Sequence, residues 1–157
     1  MGLLMTIAIV GILTVVSIPM FSTMIQNHRA DLAANNLFED LQNARSMAIK
    51  NNVNIYASFS MGDSWCYGFN SGSACDCTNA SSCSLGVVSA PAAKQLSLSS
   101  TGLSGNSIYF DGVHASSSAS AELTFTVYGT DRLITLSIAR FGNIKMCSTN
   151  IDGYPSC

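Results

Sequence analysis

Six cysteines, Cys66, Cys75, Cys77, Cys83, Cys147 and Cys157, are the reactive side chains around which any chemistry of this 157-residue chain would turn. Thiols can ligate a metal, attack a substrate or oxidise in pairs. A structural zinc site asks for paired C-x-x-C elements, and none is present. All six lie beyond a long apolar N-terminal stretch that could place them outside the cytoplasm, and an even number there reads as disulfides. Cys147 with Cys157 is the most local pairing, which leaves the other four to staple one loop, in a connectivity that spacing leaves open. Such bridges need an oxidising compartment, the periplasm or the cell exterior.

No other constellation suggests catalysis. His28 and His114 are far apart; the first reads as an interfacial polar residue and the second as solvated in a Ser/Ala loop. No serine sits in a G-x-S-x-G turn, and no glycine loop has the Walker or dinucleotide spacing. Asp76, between Cys75 and Cys77, reads as a turn aspartate rather than a metal ligand. Arg45, the one charge near an apolar helix stripe, reads as a structural residue that donates to loop carbonyls. No catalytic, cofactor-binding or metal-binding residue is assigned, and the chain is expected to assemble rather than catalyse. Only 10% of residues are charged, with a net charge of -2. That argues against a general nucleic-acid surface, which shows a basic excess, but leaves room for a small local patch.

The cysteines need an element to carry them out of the cytoplasm. From Met1 to His28 there is no Lys, Arg, Asp or Glu. A bilayer core takes about 20 apolar residues in a helix, and this run supplies them. A secretory signal would have a basic start, a shorter apolar run and a small-x-small cleavage site, all missing here. Residues 1–25 are therefore expected to form a transmembrane helix, and 26–157 a globular domain that includes the helix's amphipathic continuation. Gly11 and Pro19 are the places where the apolar half can bend, since proline removes a backbone bond that membrane neighbours can re-satisfy. From Gln26 to Asn51, Ala30, Ala34, Leu37, Leu41, Ala44 and Ala48 recur at three- and four-residue steps, and Asn51-Asn52 supplies a stop. A helix of about 50 residues would be about 75 Å long, so its second half should pack its stripe on a sheet.

Strands follow. Residues 53–59 alternate and are rich in β-formers. Met61 to Leu85 reads as loop, held by cysteines. A short strand is expected around Gln95 to Leu98, another at Ile108-Tyr109-Phe110, and a Ser/Ala loop from His114 to Ala121. Leu123, Phe125 and Val127, then Ile134, Leu136 and Ile138, alternate with polar neighbours, and residues 144–147 make a last strand. Short loops make these three an antiparallel meander. The fold expected is α+β: one long helix on an antiparallel sheet with disulfide-stapled loops.

Residues 3–13, Leu-Leu-Met-Thr-Ile-Ala-Ile-Val-Gly-Ile-Leu, followed by Ser17-Ile18-Pro19, resemble the N-terminal segment of type IV pilins and type II secretion pseudopilins. In that superfamily a basic leader ending in glycine is removed and the new terminus is N-methylated, with an acidic residue just before the position matched by Leu3. Gly2 stands there, and cleavage after it would give the wrong spacing to Gly11 and Pro19. The expectation is a start assigned too far downstream, or a fragment without leader, processed terminus and glutamate. The resemblance implies that Leu3, Leu4, Ile7, Ile9, Gly11, Leu13, Val16 and Pro19 lie in a helix that leaves the bilayer and packs into a filament core.

Residues 41–51, Leu-Gln-Asn-Ala-Arg-Ser-Met-Ala-Ile-Lys-Asn, then a strand and Trp65, resemble the GspH/FimT branch, as do Ile108 to Gly112 and the final hairpin through Cys147. The branch implies a structural subunit with no cofactor, whose partners are other pilins or pseudopilins and, before assembly, the inner membrane. A minor type IV pilin that initiates or caps a pilus is the leading expectation, and the stapled loop favours it. A minor type II secretion pseudopilin is the alternative. Competence members of the branch bind DNA through a G-R-x-R motif. Here Gly142-Asn143-Ile144-Lys145 replaces it, so Arg140, Asn143 and Lys145 are candidate DNA contacts that the acidic net charge does not favour.

Overall fold

The computed structural model describes residues 2–91, 96–151 and 153–157, with helix side chains from Met24 onward. Helix α1 (Gly2–Asn51) runs unbroken, so the division expected at residue 25 falls inside one continuous element. Among the described residues no helix is long and apolar enough to cross a membrane. The side chains of Leu3, Leu4, Ile7, Ile9, Leu13, Val16 and Pro19, with Gly11, lie outside the described set.

The amphipathic half behaves as its spacing requires. Ala30, Ala34, Leu37, Leu41, Ala44 and Ala48 are all fully buried. Four alanines in that stripe let strands approach the helix axis closely, and Leu37 and Leu41 fill the space between. The helix ends in a left-handed residue: Asn52 has φ 52°, Val53 N donates to Ala48 O and Asn52 N to Ile49 O. This pair of bonds satisfies carbonyls that the last turn would leave open, and asparagine tolerates the conformation better than most residues.

Two four-stranded antiparallel sheets pack on this stripe, where one was expected. The first has order β3-β2-β1-β5, with β1 (Ile55–Ser60), β2 (Cys66–Ser71), β3 (Val87–Ser89) and β5 (Ser107–Phe110). The second has order β4-β6-β7-β8, with β4 (Leu96–Thr101), β6 (Ala121–Val127), β7 (Leu133–Ile138) and β8 (Ile144–Thr149). The meander β6-β7-β8 is present, with Leu123 opposite Leu136 and Phe125 opposite Ile134 on the buried face. Between the sheets, a bridge joins Gly62 and Leu98, and the buried Trp65 sets its ring edge-on to Phe125 at 5.3 Å.

Two readings of the 61–101 region need correction. The stretch read as loop, Met61 to Leu85, contains β2, buried at Cys66, Tyr67 and Phe69, and the short β3 follows just beyond it. Its Ser/Gly/Asn content hides a strand that pairs on both edges, with β1 and β3. The strand expected at 95–98 runs Leu96–Thr101 instead, extended by hydroxyl residues that register against β6; Gln95 lies outside the described residues.

The disulfides are Cys66–Cys77, Cys75–Cys83 and Cys147–Cys157. The four-cysteine staple requires Gly68 in β2, because a β-carbon there would stand 2.6 Å from Cys83 Sγ. The C-terminal bridge ties a tail along β8: Ser148 N donates to Pro155 O, and Asn35 Nδ2 donates to the Tyr154 hydroxyl at 3.1 Å.

Candidate functional site

The end of the domain nearest the helix C-terminus is assembled by one side chain. Arg45, half-buried on α1, donates Nε–H to Ala115 O at 3.0 Å and Nη2–H to Phe141 O at 3.5 Å. Its fork thereby ties the loop after β5 to the turn between β7 and β8, the carbonyl-binding role expected of it. Both loops are also ordered from within. Asp111 accepts from Val113 N at 2.8 Å, and its carboxylate lies 3.0 Å from His114 Nδ1. The backbone bond from Val113 first, and then His114, hold the Asp111 carboxyl below its usual range. Ser117 N donates to Arg140 O at 2.8 Å, which stitches the two loops directly. In the turn, Gly142 N donates to Ala139 O and Ala139 N to Asn143 O.

This turn holds Arg140 and Asn143, both exposed, while Lys145 stands on the outer face of β8 opposite Ser137. Ser137 in turn pairs with Glu122, so the row that carries Lys145 carries a carboxylate two strands away. A shallow cleft of about 510 Å³ beside them includes Glu122, Asn143 and Lys145, both signs of charge together. Arg140 and Lys145 thus flank the turn without forming one basic surface. Sequence reasoning passed over two other residues here. Phe141 is 86% exposed and Val113 72%, the two most exposed large hydrophobic side chains among those described. The signal was available in part: an aromatic at the tip of a short turn has no core to enter.

The remaining candidates are structural. His28 is exposed on α1 and His114 is exposed in its loop. Asp76 Oδ1 accepts from Thr78 N and Thr78 Oγ1, the turn role expected, and those bonds lower its carboxyl's pKa. Among the described residues no group of three or more His, Cys, Asp or Glu could hold a metal ion.

The sequence profile of the type II transport protein GspH family matches residues 33–142, from the buried stripe of α1 to Gly142 in the hairpin turn. The chain belongs to the GspH family. No curated protein and no solved structure shows significant similarity to it. Within this GspH-family chain the match takes in Arg45, the loop it binds and both sheets through β7. Membership supports a minor pilin or pseudopilin role in association with other subunits of that kind.

Proposed function

We propose that the chain is a minor type IV pilin, a structural subunit without enzymatic activity that helps initiate or cap a pilus at its tip. Residues 1–25 anchor it in the inner membrane, with residues 26–157 in the periplasm, and later pack among the helices of neighbouring subunits. The observation that carries this reading is where α1 leaves its own domain. Burial of the stripe begins at Ala30, while Met24 and Ile25, one and a half turns earlier, are already 70% and 38% exposed. The uncharged sequence continues from there to the N-terminus, and apolar surface of that extent is expected to be buried in lipid or among like helices. Moving it from one to the other costs little hydrophobic free energy, since lipid tails and neighbouring helices are similarly apolar.

The family's description as a type II transport protein favours a second reading, a minor pseudopilin. Deletion of the gene separates the two: fewer pili with secretion intact supports the pilin, and impaired secretion with normal piliation supports the pseudopilin. Complementation with Ile9→Asp or Val16→Asp tests the shared premise. Either variant is expected to be lost from the membrane and from sheared filaments, and its recovery in filaments would refute helix packing.

A further inference from the structure

We infer that the free edge of β3, with the cleft beside it, takes an extended segment of a neighbouring subunit, which joins the first sheet as a fifth strand. This deepens the filament-subunit reading and rests on it. Each of the other three sheet edges is capped from within the chain. The loop after β5 lies on that strand, with Ser118 N donating to Tyr109 O and a bridge between Phe110 and Ser117. Gly62 and Leu98 exchange both backbone bonds on β4, and on β8 Ser148 N donates to Pro155 O in the tail. Among the described residues β3 has no such cap. Its ladder with β2 shows which groups are left over: Ala90 N donates to Trp65 O, and Phe69 N donates to Gly86 O. Antiparallel pairing alternates, so residues 86, 88 and 90 face β2, and Val87 and Ser89 turn their N–H and C=O groups outward.

Beside that edge lies a cleft of about 470 Å³, lined by Leu32 and Ala33 of α1, by Trp65 and Tyr67, and by Val88 and Leu96. The Trp65 and Tyr67 rings are buried and stacked, 6.2 Å apart and 3° from parallel, so the apolar lining is held in place. Val88 stands opposite Tyr67 and so shares its inward face, yet it is 36% exposed, and Leu32 across the cleft is 49% exposed. The backbone pattern names the chemistry of the occupant. Val87 and Ser89 each offer a donor and an acceptor, spaced two residues or about 7 Å apart, which is the repeat of an extended peptide. An acyl chain brings no donor, and an α-helix has already used its own backbone groups. A strand laid on this edge would place the residue facing Val88 on the inward side, over the cleft, and a large apolar side chain fits there. Position points to a neighbouring subunit as its source. Ile25, 38% exposed, lies two helical turns before Leu32 on the same face, so the cleft continues the exposed apolar side of α1 toward the segment that neighbours are proposed to cover.

The test places p-benzoylphenylalanine at Leu32 in the full-length chain in cells, with and without Ser89→Pro. The Ser89 amide faces outward, so proline there removes a donor for the incoming strand without removing a bond of the fold. The expected result is an adduct with another pilin-type subunit, mapped to an extended segment with a large apolar residue. Ser89→Pro should reduce it about tenfold, the effect of losing one to two hydrogen bonds, with an unfolding midpoint within about 2 °C of wild type. If proline does lower the midpoint, Val88→Lys decides instead, since an inward lysine blocks edge pairing while its charge reaches water, and it should reduce the adduct equally. An undiminished adduct in the folded variant would overturn strand addition. So would an adduct with lipid, with the apolar N-terminal helix of a neighbour or with β3 of a second copy, or no adduct while the protein is present in sheared filaments. Absence of the wild-type protein from filaments and from complexes with other pilins would overturn the subunit reading, and this inference with it.

Discussion

Gly142 lies directly beneath Arg45: a β-carbon at Gly142 would stand 2.8 Å from Arg45 Nε and collide with Ala115 O. The guanidinium can reach both loop carbonyls only because that position carries no side chain. Helix, loop and hairpin meet at this point, and the exposed tip depends on it.

Gly142→Ala is therefore expected to destabilise the fold. The positive φ of 76° alone is strained for an L side chain, and the collision adds to it, for a total of about 2 kcal/mol or more. Thermal unfolding should show a midpoint lower by about 5 °C. A midpoint within a degree of wild type would mean that the two loops are not pinned as described.

Arg45→Ala should cost about 1–2 kcal/mol, the value of charge-assisted bonds to carbonyls in a half-buried setting. Arg45→Lys should recover little, because an ammonium lacks the fork that reaches two acceptors. Hydrogen exchange gives the discriminating reading. The Ser117 and Gly142 amides should exchange faster in both variants, while those of β1 should not change.

Tyr67 donates its hydroxyl to Asp40 Oδ2 at 2.9 Å and is buried between helix and sheet. Burial first, then the Asp40 charge and bond, raise its pKa far above the ordinary phenol value of 10.0. Above pH 10 the unfolded chain loses this proton while the folded chain keeps it. Stability due to Tyr67 should therefore be complete below that pH and fall by about 1.4 kcal/mol per unit above it. Tyr67→Phe should be about 1 kcal/mol less stable than wild type at pH 7 through loss of the bond, with the gap closing above pH 10. Urea unfolding at pH 7 and pH 11 checks this, and a constant gap would contradict it.

Removing the C-terminal bridge with Cys147→Ser and Cys157→Ser should cost about 2–3 kcal/mol, the loop-closure value for a short ring. The fold should survive, since both sheets close without the tail. The Ser148 amide, which donates to Pro155 O, should lose protection from exchange. Unchanged protection there would show that Asn35 and Tyr154 hold the tail without the bridge.

Much of the architecture was legible in the sequence because it is written at short range. The step of three and four from Ala30 to Ala48 names the buried face of α1, since helical geometry puts those residues on one line. Alternation in residues 123–138 names the buried faces of β6 and β7 for the same kind of reason, and Asn52 stops the helix because its short amide side chain suits the left-handed conformation. The even cysteine count and the lone arginine beside the stripe announced bridges and a carbonyl-binding role without naming partners. Those partners belonged to the tertiary structure. Which of the four loop cysteines meet depends on where β2 is laid against β1 and β3, and β2 itself becomes a strand through pairing rather than through its composition. Likewise Ala115 and Phe141, 70 and 96 residues from Arg45, become its acceptors only once two sheets have closed on one helix. Side-chain spacing sets local periodicity, whereas contacts across such distances are chosen by which surfaces can be buried together, and that is decided by the whole fold.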